Sequence, residues 1–97
     1  MDRNMIATAW EQHCSAGWPQ FLSPHQGQLM TIDTVISGCV VYYLDSSEGL
    51  DHQRVAIVQD CLGDLDVLME ALDAEPQVYF SRLRDLGALL LGDEPRS

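Results

Sequence analysis

The sequence predicts an all-α protein, a small four-helix bundle. Four segments carry apolar residues at alternating spacings of three and four, which is the pattern of a helix with one buried face. Cap residues mark the ends of at least three of them, and the short loops between them favour antiparallel neighbours. The predicted helices are 4–16, 24–45, 51–73 and 76–91. The first helix is the shortest.

The first segment ends at a clear stop signal. Its inward positions are Ile6, Ala9, Trp10 and His13. Gly17 can adopt the left-handed conformation that closes a helix, and Pro19 forbids continuation. The residues that we expect to cover one end of the core follow directly: Trp18, Phe21 and Leu22.

The second segment opens with a predicted capping box, with Ser23 as N-cap, Pro24 at the first helical position and Gln26 reaching back. Its inward stripe is Leu29, Ile32, Ile36, Cys39 and Tyr43. The alternative is an α+β protein with a hairpin at 29–44, since threonine, isoleucine, valine and tyrosine favour strands. We favour the helix because the three-four alternation persists for fifteen residues, whereas strict apolar–polar alternation fails at Val40-Val41.

The third segment is the predicted central helix. Asp51 is its N-cap, with Leu50 and Val55 placed to pack as a hydrophobic staple. The core stripe is Val55, Val58, Leu62, Leu65, Met69 and Leu72, widened by Ile57, Cys61 and Leu68. Gly63 costs about 1 kcal/mol relative to alanine, which a close helix crossing or a slight bend would explain.

The fourth segment places Pro76 in its first turn, after Asp73 or Glu75 as cap. Its inner side is Tyr79, Leu83, Leu86 and Leu90, with Phe80 adjacent. Gly92 supplies the stop, and the polar tail 93–97 is expected to be loose. No linker separates two domains, so residues 1–97 are expected to form one.

Size and composition point to a cytoplasmic protein with one modest core. The chain has 97 residues, of which 46% are hydrophobic. The longest apolar run, 39–44, is too short to span a bilayer, and the opening MDRN lacks the pattern of a secretory signal. Three cysteines without a regular spacing fit a reducing compartment.

The charge balance is the most unusual feature. Fifteen acidic residues oppose five basic ones, all arginine, and the formal net charge is −10. Binding to nucleic-acid phosphates or anionic membranes depends on cationic side chains, so neither partner is expected. The acidity serves either solubility or attraction to a basic protein.

No residue pattern indicates catalysis, a metal or a cofactor. A di-iron bundle needs a glutamate three residues before a histidine on two helices, and none of the three histidines has one. Cys14, Cys39 and Cys61 lack the close spacing of a zinc site. His13 and Cys14 point about 100° apart on a helix, so His13 is badly placed to activate that thiol. We therefore expect no enzymatic activity.

Two groups of residues suggest binding instead. Asp60 and Asp64 share one face of the central helix, where like charges four apart are unfavourable. They form either a solvated outer face or a docking surface for a cationic protein. Val41 and Tyr42 lie off the inward stripe of the second helix and require either burial against the first helix or a two-fold dimer interface.

Two classes of function follow. In the first, the protein is an interaction module that sequesters or masks a basic protein, like an immunity protein, an antitoxin or an adaptor. In the second, a gap between helices binds a small molecule against aromatic rings. The candidate rings are Trp10, Trp18, Tyr42, Tyr43 and Tyr79. A closed core with an exposed acidic face would favour the first class, and an aromatic-lined cavity the second.

Overall fold

The computed structural model describes residues 3–19, 23–46 and 49–92, and over these residues it contains four α-helices and no strand. The helices are α1 (Arg3–Ser15), α2 (Gln26–Asp45), α3 (His52–Met69) and α4 (Ala74–Gly92). The all-α prediction is confirmed, and the alternative hairpin at 29–44 is wrong because α2 is one continuous helix. Phe21, Leu22 and the tail 93–97 lie outside the described residues.

The start of α2 differs from the prediction. The Ser23 hydroxyl accepts a hydrogen bond from the backbone N–H of His25, at 3.1 Å, and so stabilises a turn before the helix. The N-cap position is His25, whose side chain makes no capping bond. The predicted capping box of Ser23 and Gln26 is therefore wrong, and the helix begins at Gln26, two residues later than expected.

The start of α3 is as predicted. Asp51 is the N-cap, and its carboxylate accepts a hydrogen bond from the backbone N–H of Arg54 at 2.8 Å. Leu50 and Val55 are both buried, as a hydrophobic staple requires.

The end of α3 comes four residues earlier than predicted, at Met69. The backbone N–H groups of Ala71 and Leu72 donate to carbonyls three residues back, whereas an α-helix bonds four residues back. The helix therefore ends in a tighter turn. The Gln77 side chain of α4 donates to the Met69 carbonyl at 3.3 Å. A residue from the next helix thus satisfies one of the free carbonyls at this end.

Helices that follow one another along the chain run antiparallel. α1 and α3 each pack against α2 and α4 without touching one another, while α2 and α4 also meet across the centre. At one end, the Arg3 guanidinium of α1 donates to the Tyr43 carbonyl of α2 at 3.0 Å and lies over the Tyr43 ring. A cation at the C-terminus of α2 is favourable to the helix dipole.

The core contains the inward stripes of all four helices. Its fully buried large side chains include Ile6, Leu29, Ile36, Leu65, Phe80, Leu83, Leu86 and Leu90. Ile57 is an exception to the prediction, because it lies at the surface with 36% exposure. None of the described helices is long and apolar enough to cross a membrane.

The close helix crossing occurs at Gly87. A Cβ atom there would stand 2.9 Å from a methyl carbon of Leu62, so a larger residue would force the Leu62 side chain to move. Gly63, for which the sequence suggested a close crossing, is exposed and has open space where a side chain would be. A crossing within the chain therefore does not explain Gly63.

Candidate functional site

The outer side of α3 presents the two predicted acids in line with two aliphatic residues. Asp60 and Asp64 are exposed, and the flanking Ile57 and Val67 are 36% and 70% exposed. With the exposed Gln53, these residues follow at intervals of four, three, four and three, so they form one stripe along the helix. We call Gln53, Ile57, Asp60, Asp64 and Val67 the acidic stripe.

Two carboxylates near the acidic stripe have arginine partners that the stripe lacks. Asp51 pairs with Arg54 at 2.6 Å, and Asp66 pairs with Arg84 of α4. Among the described residues, no arginine or histidine pairs with Asp60 or Asp64. The field of the acidic stripe is therefore not neutralised from within the described chain.

Tyr42 lies in an open groove between α2 and α3. The groove has a volume of about 500 Å³, and its walls include Val35, Val41, Arg54 and Ile57. The Arg54 guanidinium lies 3.8 Å from the centre of the Tyr42 ring, a cation–π contact that covers one ring face. Tyr42 and Val41 remain 37% and 46% exposed, so burial against α1 is not what covers them.

The outer face of α2, which carries Tyr42, has no charge over most of its length. It consists of Thr31, Thr34, Val35, Gly38, Val41 and Tyr42. The hydroxyls of both threonines donate to carbonyls four residues back, Gly27 and Met30. Because these hydroxyls are bonded within the helix, the face is more apolar than its composition suggests.

Trp18, the remaining predicted binding residue, belongs to an aromatic cluster at one end of the bundle. Its ring meets the rings of Tyr79 and Phe80 edge-on, at 5.4 and 5.5 Å between centres. Tyr79 in turn lies 4.9 Å from both Phe80 and His13. These rings therefore pack on one another, and the structure separates Trp18 from Tyr42 and the acidic stripe.

The structure also brings together three polar residues that the sequence did not connect. His13 of α1, Asp33 of α2 and Tyr79 of α4 meet beside the aromatic cluster, and we call them the polar cluster. Tyr79 donates its hydroxyl hydrogen to one oxygen of Asp33 at 2.8 Å. The His13 Nε2 lies 2.9 Å from the other oxygen, so it must carry a hydrogen to bond with a carboxylate.

Burial and hydrogen bonding set the charge state of this cluster. Burial raises the pKa of Asp33, but the hydrogen bonds from His13, Tyr79 and Ser37 outweigh it and hold the pKa below its usual value. Burial and the Asp33 carboxylate raise the pKa of Tyr79 far above its usual range. Asp33 is therefore an anion and Tyr79 a neutral donor at pH 7.

The polar cluster links helices through hydrogen bonds. It joins α1, α2 and α4, and His13 is only 6% exposed. The remaining ring nitrogen, Nδ1, is buried without a hydrogen-bond partner among the described residues.

Sequence reasoning placed His13 and Tyr79 on inward stripes but did not pair them. The signal was present, since a histidine at an inward position requires a buried hydrogen-bond partner. The sequence does not show how α2 lies along α1. That alignment decides that Asp33, rather than another polar residue, lies beside His13.

Comparison with family models, with curated proteins and with solved structures finds no match to this chain. Within residues 3–19, 23–46 and 49–92, no three histidine, cysteine, aspartate or glutamate side chains are grouped so that they could hold a metal ion. The function is therefore inferred from the surfaces described above.

Proposed function

We propose that this protein is a protein–protein interaction module that binds a cationic segment of a partner along the acidic stripe of α3. The observation that carries the proposal is the exposed pair Asp60 and Asp64, set between Ile57 and Val67 without an intramolecular cation among the described residues. In this role the protein sequesters or masks a basic protein, as an immunity protein or antitoxin does, or connects it to others as an adaptor.

Electrostatics supports a basic partner. The chain carries a formal net charge of −10, and it has no lysine. Three of its arginines already interact within the bundle: Arg3 with α2 carbonyls, Arg54 with Asp51, and Arg84 with Asp66. The long-range field therefore attracts cations and repels nucleic acids, and the acidic stripe is one place where a cation can approach closely.

The aliphatic residues define the kind of segment that fits. An interface needs apolar contacts as well as charge, since exposed ion pairs alone contribute little to affinity. Ile57 and Val67 stand ten residues apart, about 15 Å along the helix, with the two carboxylates between them. An amphipathic helix with lysine or arginine between two apolar residues matches that order.

Packing of the aromatic rings gives less support to the alternative, a small-molecule site between helices. Trp18, Tyr79, Phe80 and His13 contact one another, and Tyr43 is buried in the core. These rings thus make most of their contacts within the protein, whereas Tyr42 lines the open groove between α2 and α3. An interaction module without catalytic activity, working in the cytoplasm, remains the function we propose.

Association kinetics test the proposal. A partner captured from the native host would be measured against the wild type and the Asp60→Asn/Asp64→Asn variant, at low and moderate salt. Loss of the acidic pair should lower the association rate at low salt by about tenfold, with a smaller salt dependence, because steering is electrostatic.

The matched control is Glu11→Gln/Glu70→Gln, which changes the net charge equally at two exposed acids outside the stripe. It should reduce the association rate much less. Equal effects of the two double variants would show that only the net charge matters, and an unchanged rate in the Asp60/Asp64 variant would overturn the proposal.

A further inference from the structure

A cleft runs between α1 and α4, and none of the residues that line it belongs to α3. Its larger part has a volume of about 640 Å³ and polar walls, which include Glu11, Gln12 and Arg82. A smaller cavity of about 100 Å³ adjoins it, because Gln12 and Arg82 line both. The walls of this cavity also include His13 and Asp85. The cleft therefore presents groups of both charges on two helices that pack together.

Arg82 differs from the other described arginines in its partners. Arg3, Arg54 and Arg84 each bond to a carbonyl or carboxylate oxygen of the bundle. Within the described part of the chain, Arg82 forms no ion pair. A guanidinium can hold a carboxylate through two parallel N–H groups, so Arg82 is equipped to bind an anionic group of a ligand.

His13 adds a buried acceptor to the wall of the smaller cavity. The residue is 6% exposed, and its Nε2 donates to Asp33 of α2. In the neutral ring Nδ1 is then an acceptor, and no described residue donates to it. Buried polar atoms are normally hydrogen-bonded, so Nδ1 calls for a donor from outside the described chain. Gln12 and Arg82 line the same cavity with long, exposed side chains, which can turn aside to admit one.

We propose that this cleft binds a free α-amino acid with an aliphatic side chain. The Arg82 guanidinium holds the carboxylate of the ligand, and the ammonium group donates to Asp85 and to Nδ1 of His13. The ligand is a small molecule, and its site shares no residue with the acidic stripe. The proposal therefore goes beyond the binding of a protein partner by α3 and does not depend on it.

The charges of the cleft favour a ligand that carries both signs. A simple anion would pair with Arg82 but would also meet the carboxylates of Glu11 and Asp85. A simple cation would be attracted by the net charge of −10, but it would be repelled by Arg82 and would leave that guanidinium unpaired. A zwitterion pairs with the arginine and with a carboxylate at the same time.

The size of the cleft and a neighbouring groove define the rest of the ligand. The smaller cavity has the volume of about three water molecules, which is room for an ammonium and a carboxylate group on one carbon. An open groove of about 410 Å³ continues from it towards Met5 and Leu89, since Ala9 and Gln12 line both. An aliphatic side chain such as that of leucine would cover apolar surface there, which stabilises the complex.

NMR of the histidine side chains tests binding at the site itself. Protein with isotope-labelled histidine nitrogens is titrated with L-leucine at neutral pH. The resonance of His13 Nδ1 should move in a saturable manner, with a Kd of about 1 mM or below, because this nitrogen gains a hydrogen bond. A resonance that stays constant up to about 20 mM leucine would overturn the proposal.

Two analogues of leucine separate the zwitterion from its single charges. Isocaproate keeps the side chain and the carboxylate, whereas isoamylamine keeps the side chain and the ammonium group. Each should bind about tenfold more weakly than leucine, because each loses one charged hydrogen-bonding group. Binding of the amine as tight as that of leucine would show only a general attraction of cations to an acidic protein. Equally tight binding of isocaproate would show a simple anion site, and either result would overturn the proposal.

A pair of arginine variants tests the assignment of Arg82. Arg82→Gln should weaken leucine binding by about tenfold or more. Arg84→Gln, at an exposed arginine of the same helix that pairs with Asp66, should leave it unchanged. Circular dichroism verifies that both variants are folded, and equal losses in the two would contradict the site. Asp60→Asn/Asp64→Asn should not change leucine binding, so this site and the proposed partner surface can fail independently.

Discussion

Asp33 on α2 and Asp60 on α3 lie on neighbouring helices, but they differ in what surrounds their carboxylates. Asp33 is half-buried and accepts hydrogen bonds from His13, Tyr79 and Ser37. Asp60 is exposed and, like Asp64, has no ion-pair partner among the described residues. The Asp33 carboxylate is thus held by three donors within the chain, whereas the Asp60 and Asp64 carboxylates face outward.

The difference separates acids that stabilise the fold from acids that are available to a partner. Removing a buried acceptor leaves its donors without partners, which costs free energy of folding. Removing an exposed acid that stands four residues from another one costs nothing and relieves repulsion. Stability measurements on single variants therefore distinguish the two groups.

The largest effect is expected next to Asp64 in the sequence, at Leu65, which is fully buried. Leu65→Ala should lower the free energy of unfolding by about 2–5 kcal/mol through lost apolar contacts and the cavity left behind. Urea denaturation measures the change. Val67→Ala, at the exposed end of the acidic stripe, is the control and should change it by less than about 0.5 kcal/mol. A loss below about 1 kcal/mol at Leu65 would mean that this side of α3 is not the core side.

Asp33→Ala should be the next most damaging change, at about 2–4 kcal/mol, because it leaves the donors of buried His13 and half-buried Tyr79 without their acceptor. Asp60→Ala is the matched control, and it should shift the free energy of unfolding by no more than about 0.5 kcal/mol. If the two substitutions have equal effects in urea denaturation, the polar cluster does not stabilise the fold.

The pH dependence of stability sharpens the same contrast. Because the pKa of Asp33 is lower in the folded protein than in the unfolded chain, its contribution is complete above the unfolded pKa of about 3.9. That contribution is lost as the pH falls through the folded pKa. Between about pH 5 and pH 3, the free energy of unfolding should therefore fall more steeply for the wild type than for Asp33→Ala. Parallel curves would show that Asp33 is not held as an anion by its donors.

The smallest effect is expected for Asp60→Asn/Asp64→Asn. Relief of like-charge repulsion four residues apart should raise the free energy of unfolding by a few tenths of a kcal/mol, about 0.2–0.5. Thermal unfolding at low salt is sensitive enough to detect it. A clear loss of stability would mean that these acids support the fold. Slower association of the double variant with a partner would then no longer show that the two acids contact that partner.

Some features of this protein were determined by the sequence alone. The three-four spacing of apolar residues gave four helices and most of the core, including Leu65 and Leu83, because helical periodicity is a local property of the chain. The Asp51 cap could be predicted for the same reason, since it involves residues three apart. The exposure of Asp60 and Asp64 followed from their position opposite the apolar stripe.

Other features were decided only by the tertiary structure. His13, Asp33 and Tyr79 are 20 and 46 residues apart along the chain, and they meet because of how three helices are aligned. The close crossing lies at Gly87 rather than Gly63 for a similar reason, since it depends on which turn of α4 faces Leu62. Periodicity reports which side of a helix is inward, but the axial position and rotation of neighbouring helices decide which inward residues touch. That alignment results from packing over all four helices, and no local pattern contains it.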